Sequence, residues 1–360
     1  MSRPGPVRVL VVGDPYMPAS VYAPFLASLG DGIAADSMQI TGIAGPPPRT
    51  ESERRLREYA GDPADVARAV AGHEVLIVHG APVSAEVLDA APIRLVCCAR
   101  GGPVNVDVAA ATDRGIPVVN TPGKNAAAVA ELTIAFALLL IRAVPRASRD
   151  LAERGSFAES VFGGGEFFGR EAASVTLGLA GFGRVGREVA VRARALGFAL
   201  LAYDPLIPAA MADGVEMVPL EALLERSDIV SVHARATPDN RHMFSHAEFA
   251  RMRPGALFIN TARESLVDEA ALRAALEQGV LGGAGLDVLE RPPAGTHHPL
   301  LATPNVLVTP HIGGATTETL ARGAQRAVAA VASLLAGRVP DNVMNPQVLS
   351  AGKALTIPHS

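Results

Sequence analysis

The chain has 360 residues, of which 49% are apolar and 19% are charged, and its formal net charge is −4. This length exceeds what one compact core usually holds, so two domains are expected. The composition is that of a globular protein, and the small negative charge excludes a basic field that would attract a nucleic-acid backbone or an anionic membrane. Neither nucleic acid nor a membrane is therefore predicted as a partner.

The N-terminal segment and the cysteines indicate the compartment. The chain enters a strand pattern at Val7 without a charged leader, and the apolar stretch from Leu132 to Ile141 is about half of the ~20 residues that a membrane span needs. Cys97 and Cys98 are adjacent in the apolar run IRLVCCA, and neighbouring strand residues point to opposite faces, away from each other. These features predict a reduced cytoplasmic protein in which residues 132–141 form a buried helix.

Strand-like runs rich in Val, Ile and Leu alternate with helical patterns along the chain. Continuous apolar strands separated by helices are typical of a parallel sheet that is covered on both faces, which predicts an α/β fold. The predicted strands are VRVLVVG, EVLIVHG, IRLVCCA, IPVVN, SVTLGLA, FALLAYD, DIVSVHA, GALFIN and NVLVTP.

Two breaks in this alternation suggest the domain plan. Four predicted strands precede Asn120, and a long helix over NAAAVAELTIAFALLLIRAVPRA and a glycine-rich stretch then lead to a second series. A last helical pattern runs from Thr317 to Ala336. The prediction is a discontinuous first domain, residues 1–120 plus 315–360, with residues 121–314 inserted as a second domain.

A glycine loop follows the predicted strand SVTLGLA and precedes a helical pattern. Gly181 would permit the tight turn, Gly183 the approach of backbone N–H groups to a pyrophosphate, and Gly186 close packing of helix and strand. Asp204 ends the next predicted strand, where a carboxylate that binds the ribose of a dinucleotide belongs. Because a carboxylate would repel a 2′-phosphate, NAD is predicted rather than NADP.

Further blocks complete a recognisable order: VHGAPVSAEVL, NVDVAAATDRGIPVVNTPG, VAEL, LGLAGFGRVG, NTARESLVDEAAL, GGAGLDV, TPHIGGAT and a terminal NP. With these blocks the chain, from about residue 75 to 345, resembles the NAD-dependent D-2-hydroxyacid dehydrogenases, which include phosphoglycerate dehydrogenases, glyoxylate reductases and formate dehydrogenases. The resemblance implies two Rossmann-like, doubly wound parallel-sheet domains with a cleft between them. The first would be a flavodoxin-like substrate-binding domain, and the inserted domain would bind NAD and form a homodimer.

Two residues are candidates for the chemistry of a 2-oxo acid or a D-2-hydroxy acid. Arg263 can offer a planar fork to a carboxylate and a carbonyl oxygen together, which a lysine could not do in a bidentate manner. His311 is the candidate proton donor and acceptor, because histidine exchanges protons near neutral pH. No metal site is predicted.

The resemblance also implies roles for further residues. Asp287 would lie near the nicotinamide carboxamide, and Arg184 and Val185 would present backbone N–H groups to the pyrophosphate. The remaining cofactor contacts would come from His233, Ala234, Thr261, Ala262, Arg263, His311, Gly313 and Gly314. The substrate carboxylate would meet two loops of the other domain, His79, Gly80 and Ala81, and Arg100, Gly101 and Gly102. His297 and His298 are expected in solvent.

One residue of the family pattern is absent. A glutamate that pairs with the catalytic histidine normally stands five residues after the aspartate that Asp287 matches, but this chain has Pro292 there, followed by the expected Pro293. Three alternatives remain open. Glu290 could substitute, the histidine could work without a carboxylate and with a lower pH optimum, or the protein could bind dinucleotide without turnover, as the family's corepressors do.

Two smaller departures concern the substrate. Glu264 replaces the usual glycine after the arginine and would disfavour doubly charged substrates. His79 stands about where phosphoglycerate enzymes place an arginine, so D-3-phosphoglycerate dehydrogenase is kept as an alternative. The leading hypothesis is an NAD-dependent oxidoreductase that acts on a D-2-hydroxy acid or its 2-oxo acid.

Overall fold

The computed structural model describes residues 5–154, 167–208, 214–290 and 298–350. The chain divides into two compact units. Unit 1 comprises Met1–Lys124 and Thr316–Ser360, and unit 2 comprises Asn125–Ala315. The assignment of a substrate to one unit and a cofactor to the other stays a prediction.

Each unit is built on one parallel sheet. The strands of unit 1 are β1 (Val7–Gly13), β2 (Ile33–Gln39), β3 (Val75–Val78), β4 (Leu95–Cys98) and β5 (Val118–Val119). Those of unit 2 are β6 (Thr176–Ala180), β7 (Ala199–Tyr203), β8 (Glu216–Met217), β9 (Ile229–Val232), β10 (Ala256–Asn260), β11 (Leu281–Leu286) and β12 (Val306–Val308).

Helices connect the strands in both units. The α-helices of unit 1 are α1 (Ala23–Ala27), α2 (Glu51–Arg55), α3 (Pro63–Val70), α4 (Ala85–Asp89), α5 (Val108–Asp113), α13 (Thr317–Leu335) and α14 (Gln347–Ser350). Those of unit 2 are α6 (Ala126–Ile141), α7 (Val144–Arg154), α8 (Arg184–Ala195), α9 (Leu220–Arg226), α10 (His246–Arg251), α11 (Glu269–Glu277) and α12 (Pro299–Ala302). Short 3₁₀ helices lie at Ala19–Val21, Gly30–Gly32, Ala172–Ser174, Pro238–Asn240 and Glu264–Leu266.

The sheet of unit 1 has the order β2-β1-β3-β4-β5, which is the flavodoxin-like arrangement of a doubly wound fold. Helices α3, α4 and α5 pack on one face and α1 and α13 on the other. Cys98 belongs to the first of these cores and Cys97 to the second, and both are free thiols. The prediction that the two cysteines point to opposite faces is therefore confirmed.

The sheet of unit 2 has the order β12-β11-β10-β9-β6-β7-β8, which is the Rossmann order extended by one strand. Helices α6 and α8 pack on one face, and α9 to α12 pack on the other. The strand order reverses between β6 and β9, and in open α/β sheets a ligand binds at the carboxyl ends of the strands at such a point. The predicted α/β class with Rossmann-like parallel sheets is confirmed in both units.

The long helix predicted over residues 125–147 is wrong in one respect, because it is two helices. Ala143 has a positive φ of 50° between α6 and α7, a conformation that ends a helix. Most of α6 is buried in unit 2. Within the described ranges no single helix is long and apolar enough to cross a membrane. Among these residues only the bent pair Ala126–Ile141 and Val144–Glu153, with an angle of 62° between the helices, has sufficient length and apolar composition.

Three strands were missed. β2 makes unit 1 five-stranded within the described residues rather than four-stranded, and its mixed, half-exposed sequence IAADSMQ carries no apolar run. β8 has two residues at a sheet edge. β11 is rich in glycine because neighbours leave no space: an ideal Cβ at Gly285 would lie 2.8 Å from the ring of Phe136, and one at Gly283 2.5 Å from the carbonyl oxygen of Asn305.

Candidate functional site

The glycine loop lies between β6 and α8, at the point where the strand order reverses. Gly181 has φ +105°, and an ideal Cβ there would lie 2.4 Å from the backbone nitrogen of Ala234. An ideal Cβ at Gly186 would lie 2.4 Å from the carbonyl oxygen of Gly181. Gly181 is thus required for the turn, and Gly186 is required for the close packing of the helix against the loop.

Gly183 differs from the other two glycines, because an ideal Cβ there would meet no described heavy atom within 4 Å. It is the N-cap of α8, and no described side chain caps this helix. The exposed Arg184 and half-buried Val185 form the first turn. An open helix N-terminus that follows a glycine loop fits a pyrophosphate, since the N–H groups and the helix dipole both favour an anion.

Asp204 follows β7 and contacts the glycine loop. One carboxylate oxygen accepts from the backbone N–H of Phe182 at 2.9 Å, and the other accepts from that of Leu206 at 3.0 Å. Each oxygen retains a lone pair for a hydroxyl group. Backbone N–H groups therefore hold the carboxylate beside the glycine loop, where its oxygens can accept hydrogen bonds from ribose hydroxyls.

His233 and Ala234 follow β9 and pack against Gly181. The Nε2 atom of His233 is 2.9 Å from the hydroxyl of Ser231, whereas its Nδ1 is buried without a hydrogen-bond partner among the described residues. Burial lowers the pKa of His233 to about 3, so the ring is neutral. A neutral ring with an unpaired nitrogen beside the glycine loop fits a polar group of a dinucleotide.

The loop after β10 carries Arg263. The side chain of Asn260 holds this loop, because its amide donates to the carbonyl of Arg263 at 2.9 Å and its oxygen accepts from the N–H of Ala262 at 3.0 Å. Thr261 is buried, and its hydroxyl is 2.9 Å from that of Thr133. The Arg263 side chain is exposed, and among the described residues it donates only to the carbonyl of Ala262 at 2.7 Å.

No described carboxylate forms an ion pair with Arg263. Glu264 begins a 3₁₀ helix immediately after it, and the two side chains are not paired within the described residues. The guanidinium therefore keeps donors for an anionic ligand, although a carboxylate stands next to it in the sequence.

Asp287 follows β11 and is 2% exposed. One of its oxygens accepts from the Thr309 hydroxyl at 2.6 Å and the Ile312 N–H at 2.8 Å, and the other accepts from the Gly313 N–H at 2.7 Å. These bonds hold the loop in which the exposed His311 has a positive φ of 56°. Asp287, expected near the cofactor, thus anchors the loop of the candidate proton donor, a role that sequence reasoning missed.

Backbone hydrogen bonds connect the three strand ends that carry these residues. The N–H of Asp287 donates to the carbonyl of Asn260, and the N–H of His311 donates to the carbonyl of Asp287, both at 2.9 Å. Since β10, β11 and β12 are parallel neighbours, Arg263, Asp287 and His311 lie on the same edge of the sheet. Gly313 is buried and Gly314 is half-buried beside them.

Glu290 has partners other than His311. Its carboxylate is 2.9 Å from the guanidinium of Arg241 and 3.8 Å from Nε2 of His242. Its N–H donates to Glu269 at 3.0 Å. No hydrogen bond or ion pair joins the His311 ring to a carboxylate in the part of the chain that the structure describes.

The other residues of this segment divide into two groups. Pro292, Pro293 and His297 lie outside the described residues. The expectation that His298 is a solvated histidine is wrong, since its side chain is 9% exposed and its Nε2 is 2.9 Å from Glu269.

The loops expected to meet the substrate carboxylate follow β3 and β4 of unit 1. Nδ1 of His79 is 2.9 Å from the buried carboxylate of Asp14, and the Gly80 N–H donates to the same oxygen at 2.6 Å. Ala81 is buried, and its carbonyl accepts from Asn105 at 2.7 Å.

In the loop that follows β4, Arg100 is paired with a carboxylate. Arg100 pairs with Glu58 and also donates to the Glu58 carbonyl at 2.9 Å. Gly101 and Gly102 are exposed, and the Gly101 carbonyl accepts from Asn120 at 2.7 Å. Asp14 was missed by sequence reasoning, although its position directly after β1 is a signal that could have indicated it.

The fold and the glycine loop together define unit 2 as a dinucleotide-binding domain of the Rossmann class. A sequence model described as "D-isomer specific 2-hydroxyacid dehydrogenase, NAD binding domain" matches residues 134–313. The chain belongs to this family, and unit 2 contains its NAD-binding domain.

Known proteins of two activities resemble the chain. D-3-phosphoglycerate dehydrogenase of Mycobacterium tuberculosis is 37% identical over 340 residues, which cover 93% of this chain and 58% of that enzyme. Glyoxylate reductase of Korarchaeum cryptofilum is 38% identical over 274 residues, which cover 74% of this chain and 81% of that enzyme. The chain thus spans little more than half the length of the mycobacterial enzyme.

A crystal structure of a Thermus thermophilus protein is similar with a TM-score of 0.73 and 32% identity, covering 94% of this chain and 100% of that one. A putative D-isomer specific 2-hydroxyacid dehydrogenase from Polaromonas has a TM-score of 0.76 and 27% identity, with the same coverage. Both likenesses extend over nearly the whole chain rather than over unit 2 alone.

Proposed function

We propose that the protein is an NAD-dependent oxidoreductase that interconverts a D-2-hydroxy acid and the corresponding 2-oxo acid. The observation that carries this proposal is the carboxyl edge of the unit 2 sheet, where Arg263 follows β10, His311 follows β12, and both side chains are exposed. The same edge carries the glycine loop after β6. A cation, a proton donor and a dinucleotide loop are the groups that this reaction requires.

The chemistry divides among these groups. When bound, the nicotinamide supplies hydride to the keto carbon, or accepts it in the reverse direction. Arg263 binds the substrate carboxylate and polarises the keto oxygen through two parallel hydrogen bonds. His311 donates a proton to that oxygen during reduction and removes it from the hydroxyl during oxidation. A 2-oxo acid, NADH and a proton thus give a 2-hydroxy acid and NAD⁺.

The glycine loop and Asp204 support the cofactor role of unit 2. Asp204 would bind the ribose hydroxyls and disfavour a 2′-phosphate, so NADH should be preferred over NADPH. Further contacts are proposed for the strand-end residues of unit 2, which are Gly181, Gly183, Arg184, Val185, Gly186, His233, Ala234, Thr261, Ala262, Arg263, Asp287, His311, Gly313 and Gly314.

Substrate contacts in unit 1 are proposed for the loops after β3 and β4, which comprise His79, Gly80, Ala81, Arg100, Gly101 and Gly102. Their position at carboxyl strand ends supports this role. Arg100 would have to exchange Glu58 for a ligand carboxylate, because the two residues pair in the structure.

His311 is proposed to act without a carboxylate partner. The support is that Glu290, the remaining candidate near Pro292 in the sequence, pairs with Arg241 at 2.9 Å. A histidine without such a partner gains no charge stabilisation from it, so a lower pH optimum for oxidation is expected than in relatives that have the glutamate.

A cytoplasmic homodimer is also proposed. Its support is that three apolar side chains of α6 and α7 are exposed, Leu139 by 36%, Val144 by 42% and Leu151 by 39%. Exposed apolar surface of this kind favours association with a second copy of the chain. Light scattering should give a dimer for the wild type and a monomer for Leu151→Glu, whereas a wild-type monomer would overturn the proposal.

The test of the activity is a panel assay. NADH oxidation is followed with glyoxylate, pyruvate, oxaloacetate, 2-oxoglutarate and 3-phosphohydroxypyruvate, and NADH affinity is measured separately by fluorescence. Turnover of a panel member supports the enzyme, and turnover restricted to 3-phosphohydroxypyruvate identifies a D-3-phosphoglycerate dehydrogenase. NADH binding without turnover of any member would favour the dinucleotide-binding regulatory alternative.

A further inference from the structure

Unit 1 contains a buried lysine that the sequence analysis did not select. Lys124 follows β5 and is 6% exposed, and its Nζ has no hydrogen-bond partner among the described residues. An ammonium group buried without an anion is unfavourable, because water solvates a charge better than a protein interior does. Such a group indicates a place where an anion binds as a ligand.

Helix α13 holds the lysine in position. The Lys124 carbonyl accepts from Nε of Arg322 at 2.8 Å. An ideal Cβ at Gly323 would lie 3.1 Å from Cδ and 3.3 Å from Nζ of the lysine. The glycine thus leaves room for the lysine stem, and the position of the amine is set by backbone and packing.

The Tyr16 ring lies beside the amine, and a second aromatic ring stacks on Tyr16. The Lys124 Nζ is 5.9 Å from the centre of the Tyr16 ring, and the His79 ring stacks on Tyr16 with centroids 4.9 Å apart and planes inclined by 12°. Tyr16 is 40% exposed and the His79 side chain 13%. The two rings are therefore reachable from solvent, whereas the Lys124 amine is buried.

The charged groups that act on the amine, Asp14 and Arg100, have other partners. Arg100 pairs with Glu58. Asp14, 3% exposed, receives four hydrogen bonds of 2.6 to 2.9 Å, from the N–H groups of Tyr16, Met17 and Gly80 and from Nδ1 of His79. The positive charge of Lys124 is thus left without a directly bound anion among the described residues.

We propose that Lys124, Tyr16 and His79 form an anion-binding site at the carboxyl edge of unit 1, with the Lys124 amine as its charged donor. The ligand class is a small organic anion that carries a carboxylate or phosphate group. Because His79 donates its Nδ1 proton to Asp14, its Nε2 accepts a hydrogen bond, which suits a hydroxyl group on the same ligand. The site can be tested by equilibrium binding without NADH, so the test does not depend on the dehydrogenase activity.

The composition of the chain makes the test site-specific, since Lys124 and Lys353 are its two lysines. Full-length protein with ¹³Cε-labelled lysine should give two side-chain signals, and Lys124→Met assigns them. Burial lowers the pKa of Lys124 to about 8. The groups that face its amine and influence the titration are Asp14, His79, Cys98 and Arg100.

The titration is repeated with inorganic phosphate, oxalate and D-lactate. A bound anion should raise the titration midpoint of Lys124 by about one pH unit or more, while the Lys353 signal stays unchanged as the internal control. A response to phosphate alone identifies a phosphate ligand, and a response to oxalate or D-lactate identifies a carboxylate. A Lys124 signal that responds to none of the three probes would overturn the proposal.

Affinity gives a second readout. Calorimetric titration of the responding anion should show binding about 10- to 100-fold weaker for Lys124→Met, as expected for the loss of a charged hydrogen-bond donor, and largely retained for Lys124→Arg. Arg338→Met removes an exposed cation of the same unit and should bind like the wild type. Equal affinity of Lys124→Met and the wild type would contradict the proposed role.

Discussion

His79 in unit 1 and His311 in unit 2 each follow a strand at the carboxyl edge of a parallel sheet, but their surroundings differ. His79 is 2.9 Å from the buried carboxylate of Asp14 and stacks on Tyr16. His311 is exposed, and its ring forms no hydrogen bond or ion pair with a described carboxylate, whereas its backbone N–H donates to the carbonyl of Asp287 at 2.9 Å.

This difference indicates that a hydrogen bond to a carboxylate is not sufficient to identify a histidine as a catalytic proton donor. Burial lowers the pKa of His79 and outweighs the hydrogen bond to Asp14, which raises it. His79 is thus a fixed, neutral group suited to recognition. His311 is positioned through its backbone by Asp287, and its ring is accessible for proton exchange with a ligand.

The largest expected effect is that of removing the exposed histidine. His311→Ala should lower turnover by about 10²- to 10⁴-fold, the usual contribution of general acid–base catalysis, and lower NADH affinity far less, because His311 is one of many proposed cofactor contacts. The matched variant His79→Gln should alter KM for the substrate more than kcat. Steady-state kinetics and NADH fluorescence titration measure both variants, and an equal loss of kcat in the two would abolish the distinction between the histidines.

Arg263→Lys should lower kcat/KM by about 10- to 100-fold, because a lysine keeps the charge but loses the second hydrogen bond to the substrate. Arg235→Lys, a change at another exposed arginine of unit 2, is the control and should leave kinetics unchanged. An Arg263→Lys variant with wild-type kcat/KM would contradict bidentate binding.

Asp287→Asn and Asp14→Asn form a matched pair of changes. In the Asp287→Asn variant one carboxylate oxygen becomes an NH₂ group, which cannot accept a hydrogen bond, so at least one of the three donors to Asp287 loses its acceptor. The His311 loop should therefore become more mobile, and kcat should fall by about 10-fold. Asp14→Asn should lower the free energy of unfolding by about 1–3 kcal/mol with a smaller change in kcat. The converse ranking in kcat would overturn the positioning role of Asp287.

The contribution of Asp14 to stability should depend on pH. Burial raises its pKa, but hydrogen bonds from His79, Met17 and Gly80 outweigh burial and lower the pKa below 3.8. A group whose folded-state pKa is lowered stabilises the fold above its unfolded pKa and loses this contribution as the pH falls. Urea unfolding of wild type and Asp14→Asn should therefore differ most above about pH 4 and converge in more acidic solution.

Glu290→Gln should have the smallest effect, a change of less than about 2-fold in kcat and an unaltered pH–rate profile, because this carboxylate pairs with Arg241. A loss of about 10²-fold or more would instead identify Glu290 as the partner of the catalytic histidine.

Local patterns were sufficient to predict most of the buried strands and the glycine loop. Apolar runs indicate buried parallel strands, and Gly181, Gly183 and Gly186 form a recognisable spacing within one strand–turn–helix segment. β2 was not predicted because an edge strand needs no apolar run. β11 was not predicted because Gly283 and Gly285 are required by contacts with residues distant in the sequence, which the strand's own pattern does not reveal.

Features that depend on tertiary contacts could not be predicted. The anchoring of the His311 loop by Asp287 involves residues more than 20 positions apart, and the burial of Lys124 depends on α13, which is contributed by the C-terminal part of the chain. The strand that Asp287 follows, β11, was missed, and Lys124 was not selected from the sequence, so only the fold gives the contacts of these two residues.

The most direct test of the central claim is the configuration of the product. A 2-oxo acid other than glyoxylate that the panel assay finds to be turned over is reduced with NADH, because the glycolate formed from glyoxylate has no stereocentre. The 2-hydroxy acid formed is separated by chiral chromatography. The D enantiomer is predicted in wild-type reactions and should disappear with His311→Ala. An L or racemic product, or D product formed at the wild-type rate by the variant, would contradict the account.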